Sequence, residues 1–398
     1  MNDKRKIAVL IINRANYGRL KPVLKAIQDR PDLELQLIVG SAMLLYRFGE
    51  DVRFVEEDDF KIDAKFNMIV EGGTPSTMAQ SAGVGLMSLP PILEQLRPDI
   101  FLVNADRFEI LPAAMAAAYM NIPLAHTLGG EITGTIDESV RHAVTKLAHI
   151  HFAAHRPAAE RIASMGENPE NIFVVGNPSL DIAASISGRL NMAKFEKINR
   201  GVGAPIDFQK PYLLVYQHPV TTEYKDAMEQ INKTFYALQE VNMQTIMLWP
   251  NPDAGTDLLS KGIRKYRELA KPNNIHFFRS FGTEDYLELL KHAACIVGNS
   301  SSAIMEGGFF GTPAVNIGTR QSGRERCINV INAGYDSEEI KAAISRQLAH
   351  GRYEPDYFFG DGKSGPRIAE ILARQTVKIQ KQFNPPKNYH LIKNLIGN

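Results

Sequence analysis

Directly after an apolar run, positions 126–142 read HTLGGEITGTIDESVRH, with three carboxylates, two histidines and three glycines. Glu131 follows two glycines, so the backbone there can come close to a ligand. A carboxylate held at such a point suits proton transfer. Glu138 falls in the first turn of the helix that follows, where it can serve either the helix dipole or the chemistry. Asp137 reads as the N-cap of that helix. Asp106 and Arg107 stand together in NADRFE, and His218 stands in QHPVTTE directly after YLLVY. An imidazole there can protonate a leaving group or take part in proton transfer at carbon. His126, His149 and His151 lie in or beside apolar segments and read as core or boundary residues, while His142 can reach a cleft from its helix.

A second group of residues suits an anion. Arg14 stands at the end of KIAVLII, where a cation calls for an anionic ligand or an acidic neighbour. Ser300, Ser301 and Ser302 in GNSSSAIMEGG lie between a strand and a helix. Free N–H groups at a helix start, with hydroxyls beside them, form a phosphate site. Glu306, about one turn on, can accept from ribose hydroxyls or belong to a capping arrangement. TRQSGRER adds Arg320, Arg324 and Arg326, as diphosphate ligands or as a solvated charge run. Neither G-x-G-x-x-G nor a P-loop lysine occurs, which disfavours a nicotinamide cofactor and a P-loop.

The elements that must position these side chains alternate. KIAVLII, LELQLIV, DIFLVN and IPLAHT are consecutive apolar runs of the kind buried on both faces of a parallel sheet. Helical stretches such as RLKPVLKAIQDRP separate them. The rhythm stops in the polar stretch at about 183–210 and resumes with YLLVYQ, MQTIMLWP, IHFFRS, ACIVGN and PAVNIG. The expectation is an α/β chain of two doubly wound domains joined near 183–205. In such sheets ligands bind outside the carboxyl ends of the strands, and the polar clusters follow strands repeatedly, so the function is expected in a cleft between the domains.

Composition agrees. The 398 residues are 44% hydrophobic and 22% charged, enough for two cores of about 150–200 residues each. A net charge of +1 gives no reason to expect nucleic acid or an anionic membrane surface. Cys295 and Cys327 are far apart and lack metal-ligand spacing, which argues against disulfides and structural zinc. With no apolar stretch long enough to span a membrane and no signal-peptide core, a cytoplasmic location is expected.

Taken in order, NRANYGRLKP, ADRFE, GGEITGTIDESVRHAVTKLAH, VVGNPSLD, QHPVTTE, WPNPDAG and NSSSAIMEGGFFGTPAVNIGTRQSGR resemble the hydrolysing UDP-N-acetylglucosamine 2-epimerases of sialic acid biosynthesis. The match runs from about residue 6 to 335. The resemblance implies a GT-B-like fold of two Rossmann-like domains, divided here as 1–185 and 186–371, with a final helix at 372–398 crossing back to the first. It implies a nucleotide-sugar substrate, no metal and no redox cofactor. The nucleoside diphosphate would be eliminated to leave a 2-acetamidoglycal, then hydrated to a free sugar inverted at C2. By the same resemblance Arg14, Ser301, Ser302, Glu306, Arg320 and Asn251 hold the nucleotide, Arg107 meets the phosphates, and Asp106, Glu131 and His218 face the sugar. Glu138 is retained beside them as a catalytic candidate.

Three positions depart from the family pattern. Asn16 replaces an acid, Ala105 replaces a glycine before Asp106, and Leu128 replaces a polar or acidic residue before Gly129. An apolar wall at Leu128 points to a 6-deoxy or 2,4-diacetamido-trideoxy sugar, and the nucleotide base stays open between UDP and GDP. A GT-B glycosyltransferase, a nucleotide-sugar sensor and a non-hydrolysing 2-epimerase are the competing readings. A homo-oligomer, dimer or tetramer, is expected, with the Ala-rich helix at 112–120 in a core or an interface.

Changing Arg14 to alanine is expected to weaken binding of free nucleoside diphosphate by about 1.5–3 kcal/mol, roughly 10- to 150-fold. Calorimetry checks this, and unchanged affinity would remove Arg14 from the grip.

Overall fold

A computed structural model of the chain describes residues 4–186, 188, 201–251, 253–279 and 281–385. Its first sheet is built from β1 (Arg5–Ile11), β2 (Leu33–Gly40), β3 (Ile62–Phe66), β4 (Ile100–Asn104), β5 (Leu124–Thr127), β6 (Ile150–Ala153) and β7 (Ile172–Val174). They run parallel in the order β3-β2-β1-β4-β5-β6-β7. Residues Ile7 to Ile12 have no exposed surface, which explains the unbroken apolar run: helices cover both faces.

The second sheet contains β8 (Val202–Gly203), β9 (Leu213–Tyr216), β10 (Thr245–Leu248), β11 (Ile275–Phe278), β12 (Cys295–Gly298), β13 (Ala314–Ile317) and β14 (Val330–Ala333). Its order is β14-β13-β12-β9-β10-β11-β8, parallel except for β8, which pairs antiparallel with β11. The result is two doubly wound Rossmann-like units in a GT-B-like arrangement.

In each sheet the strand order reverses once, and there the crevice opens for a ligand. In the first, the reversal lies between β1 and β4, so Asn13, Arg14, Asp106 and Arg107 emerge side by side. In the second it lies between β9 and β12, which brings His218 next to Ser300–Ser302.

The final helix differs from the one expected at 372–398. It spans Ser364–Arg374, residues 375–385 are not helical, and 386–398 lie outside the described residues. The crossing back to the first unit therefore comes earlier. Asp181 caps this helix by accepting from the N–H groups of Ser364 and Gly365 at 2.8 and 2.7 Å. Ile368, Ala369 and Leu372 then complete the core formed with Ile7, Leu20 and Val23. The join expected at 183–205 falls largely on residues 187 and 189–200, outside the described set, directly after the helix Ser179–Ser185. We place the division between the two units there. Ala113, Ala114, Ala116 and Ala117 of the Ala-rich helix are buried in the first unit's own core. No described helix is long and apolar enough to cross a membrane.

The cleft is closed. Gly134 N–H donates to Arg320 O at 3.1 Å, Arg324 donates to Ile132 O at 3.3 Å, and Arg161 pairs with Glu325 at 2.6 Å, each across the cleft. A Cβ at Gly134 would sit 2.1 Å from Thr319 O, a backbone atom of the opposite unit. Gly134→Ala is therefore expected to hold the cleft open, with melting temperature unchanged and turnover lowered by about 10-fold or more. Small-angle scattering and steady-state rates check this; a closed, fully active variant would show that the rim contact does not govern closure.

Candidate active site in the closed cleft

Between the units lies a cavity lined by residues of both. Of the candidate residues named from the sequence, all line it except Glu138, His142 and the exposed Arg326.

One end is built for an anion. Arg14 follows β1, and the N-cap Asn13 starts the helix Arg14–Gln28 beside it. Its Nη2 donates to the Tyr216 hydroxyl at 3.2 Å, while Nη1 is buried with no partner. An unused buried donor costs about 1–3 kcal/mol unless a ligand completes it. Arg19, which sequence reasoning missed, donates to Ser301 Oγ at 2.8 Å one helical turn along. Ser302 Oγ is bonded to Ser300 Oγ at 2.9 Å and to Tyr286. The serines do not open a long helix: Ser301–Ala303 is a single 3-10 turn, followed by a six-residue helix, Met305–Phe310. So short a helix carries little dipole, and the anion end rests on hydroxyls and guanidinium groups instead. Glu306 Oε2 is buried and unpartnered, free to accept from hydroxyls.

Arg107 is already committed. It pairs with Glu109 at 3.3 Å and with Asp253 from the opposite unit. Burial alone would lower its pKa, but these two acids carry it above the ordinary value. Arg107 thus bridges the two units while also lining the cavity. Arg320 is held by Asn299 O at 3.2 Å and faces Asp137 at 3.9 Å. Arg324 is buried in the cavity wall, so TRQSGRER is not a solvated charge run there.

The other end holds the acids. Glu131 is 1% exposed, with Oε1 at 3.3 Å from His155 Nε2 and Oε2 at 3.7 Å from Arg324. Burial opposes its ionisation, yet His155 and Arg324 together hold it below the usual carboxylate range. For the helix Ile136–Leu147 the expected roles are redistributed. Thr135 is the N-cap, accepting from Asp137 N–H at 3.3 Å. Asp137 is thereby released from capping and turns into the cavity. Burial and the nearby Asp253 push its pKa up despite Arg320 and Arg107. Glu138 instead accepts from Thr133 N–H at 2.8 Å and faces His142 at 3.8 Å, fixing the loop from outside the cavity.

Helical spacing explains both outcomes. Asp137 and Arg141 are four apart on the inner face, whereas Glu138 and His142 are four apart on the next face round. Arg141 was missed in the sequence although that spacing could have found it. It is 1% exposed, donates to Glu131 O at 2.7 Å, and binds the Asp106 carboxylate. Burial and the neighbouring Arg324 and Arg19 push its pKa well below the arginine norm.

His218 Nδ1 accepts from Asn251 N–H at 3.2 Å, so the ring proton resides on Nε2. Burial and the positive field of Arg320, Arg107 and Arg14 keep it neutral. Asn251 also accepts from Tyr216 at 3.4 Å. His126 is a core residue, pushed down to about 3 by burial, with Nε2 at 2.8 Å from Ala105 O. Ala105 and Leu128, side by side in the cavity wall, both have left-handed backbone with φ of 63° and 59°. Such conformations in residues other than glycine cost of order 1–3 kcal/mol and gather at functional sites.

A family model described as UDP-N-acetylglucosamine 2-epimerase matches residues 25–373. The UDP-N-acetylglucosamine 2-epimerase of Neisseria meningitidis is 32% identical over 385 residues, covering 95% of this chain and 98% of that protein. The hydrolysing UDP-N,N'-diacetylbacillosamine 2-epimerase of Legionella pneumophila is 33% identical over 379 residues, covering 95% and 98%. Among solved structures, the Methanocaldococcus jannaschii UDP-GlcNAc 2-epimerase in complex with UDP-GlcNAc and UDP superposes with a TM-score of 0.74 at 21% identity, covering 93% of this chain and all of that one. The matched span holds the acids, His218 and the serines of the cleft, and this chain belongs to the UDP-N-acetylglucosamine 2-epimerase family.

Proposed function

We propose that this family member is of the hydrolysing type: it expels the nucleoside diphosphate from a 2-acetamido nucleotide sugar and returns the free sugar inverted at C2. One observation carries the reading. Two carboxylates, Glu131 and Asp137, line the same cavity as Arg14, Arg19 and Ser301, one beside His155 and the other beside Arg320. Their pKa values are displaced in opposite directions, Glu131 down and Asp137 up. Groups pushed apart in this way mark the base and the acid of a reaction.

The C2–H of such a sugar is not acidic, because no carbonyl adjoins it, so loss of the C1–O bond must lead. That electron pair leaves with the diphosphate, where Arg14, Arg19 and Arg320 supply positive charge and Ser301 and Ser302 supply hydroxyls. His218 donates a hydrogen bond from its Nε2–H to a departing oxygen and keeps that proton. Glu131, ionised, takes the C2 proton and the C1–C2 double bond of the glycal forms. Water then bonds to C1 and passes its proton to an oxygen of the expelled diphosphate, while Asp137 delivers its own proton to C2 from the opposite face. Asp106, fixed by Arg141, binds the sugar hydroxyls. Exchange with solvent restores both acids.

Leu128 and Ala105 make the sugar end apolar, and the Legionella relative acts on a diacetamido sugar. We therefore assign a UDP- or GDP-linked 2,4-diacetamido-trideoxy sugar as the preferred substrate, with a product suited to sialic or nonulosonic acid synthesis. In this reading the chain works as a homo-oligomer, for which the exposed Met87 and Tyr119 offer apolar surface.

A hydroxyl left unpaired against Leu128 costs up to about 3 kcal/mol. Comparison of kcat/KM for the diacetamido substrate and for UDP-N-acetylglucosamine should favour the first, and the reverse order would overturn the assignment. In heavy water the released sugar is expected to carry deuterium at C2. Glu131→Gln should keep nucleotide affinity while turnover falls by about 100-fold or more. Unlabelled C2 would exclude the elimination route, and recovery of intact nucleotide sugar inverted at C2 would make the enzyme non-hydrolysing.

A further inference from the structure

His155 has no part in the steps above, and it does not line the cavity. It begins the helix Arg156–Ser164, with its side chain accepting from Ala158 N–H at 3.2 Å. A cap needs only a short acceptor such as Ser, Asp or Asn. Here a large ring is buried to 3% exposure, tilted against Phe358 at 4.6 Å and edge-on to Phe359 at 5.2 Å. The cap fixes the tautomer. Since Nδ1 accepts from the backbone, the proton must reside on Nε2. That nitrogen lies 3.3 Å from Glu131 Oε1 and 3.8 Å from Glu325 Oε2.

We infer that His155 is a positioning residue for Glu131: the helix start orients its Nε2–H, and that hydrogen bond aims the ionised carboxylate into the cavity. The role rests on the proposed function only in what Glu131 then does. The contact is long, and neither Glu131 oxygen nor His155 Nε2 has a well-formed hydrogen bond. Catalytic hydrogen bonds often have this loose geometry before substrate binds and tighten afterwards. Charged groups reach this corner from every side. Arg324 lies 3.7 Å from Glu131, and Arg161 joins Glu325 at 2.6 Å and Gly130 O at 2.5 Å. Arg141 holds the Glu131 carbonyl at 2.7 Å, and Arg19 adds its field. None of these cations replaces the imidazole at Oε1, which has His155 as its near neighbour.

His155→Asn keeps an acceptor for the helix cap and removes the Nε2–H. The expected result is a kcat lower by about 10-fold or more, an unchanged affinity for UDP by calorimetry, and an acidic limb of the kcat profile moved to higher pH. The sign follows from Glu131: a base must be ionised, its pKa is held down by the His155 contact, and losing that contact lets the pKa rise. Carbon-13 NMR of glutamate-labelled enzyme, with Glu131 assigned by its loss in Glu131→Gln, reads the same displacement with no turnover required. An unmoved Glu131 titration in His155→Asn would overturn the inference, whatever the reaction. A displaced titration in an enzyme that turns over no nucleotide sugar would support it and sink the proposed function instead. If His155→Asn does not fold, nitrogen-15 shifts of the wild-type histidines decide: a proton on Nδ1 of His155 would overturn the assignment, and one on Nε2 would support it.

Discussion

Arginine against arginine is the constraint on which this site depends. Among the residues lining the cleft, Arg14, Arg19, Arg107, Arg141, Arg320 and Arg324 outnumber Asp106, Glu131, Asp137 and Glu306. Packing like charges into a closed space is costly: burial first, and the neighbouring arginines after it, push the pKa of Arg141 and of His218 well below their ordinary values. A ligand carrying two phosphates relieves that repulsion on entry and restores it on departure. The same field therefore favours the bound anion, keeps Glu131 ionised, and leaves the imidazole neutral as a donor.

Fold and field are linked by where the chain reverses. Each sheet has one crevice, and each crevice receives the polar loops that follow two strands adjacent in space but separated in sequence. Cations come from both units, the acids Glu131 and Asp137 from the first alone. The bridges from Arg107 to Asp253 and from Arg324 to the loop at Ile132 mean that the electrostatics described here belong to the closed cleft.

Much of this was legible in the sequence. Buried parallel strands leave unbroken apolar runs, so the two sheets and the polar clusters after their strands could be read directly. Arg14, Glu131, His218 and Glu306, which line the cavity, could be singled out because each stands just beyond a strand or in a short motif. The helix after Gly134 was harder. Thr135, Asp137 and Glu138 can all serve its first turn, and the choice of Thr135 as cap decides which acid faces inward. Arg141 and Arg19 lie within helices, where charged residues ordinarily face water, and only the three-dimensional cleft reverses that expectation. His155 sits in an apolar stretch, and its neighbours Glu325 and Phe358 are remote in sequence. The limits of the final helix depended on a cap from Asp181, nearly two hundred residues away, which no local pattern reports.

That returning helix also has a mechanical consequence. The chain passes between the two units twice, once after Ser185 and again before Ser364. The second passage contains Gly360 and Gly362, both with left-handed backbone at φ 136° and 78°. The second passage, with its two glycines, is a place where the chain can turn as the units part. Any such parting carries the serines and His218 of one unit away from Glu131 and Asp137 of the other, so a ligand seated across the cleft would lose its hold at both ends in one movement.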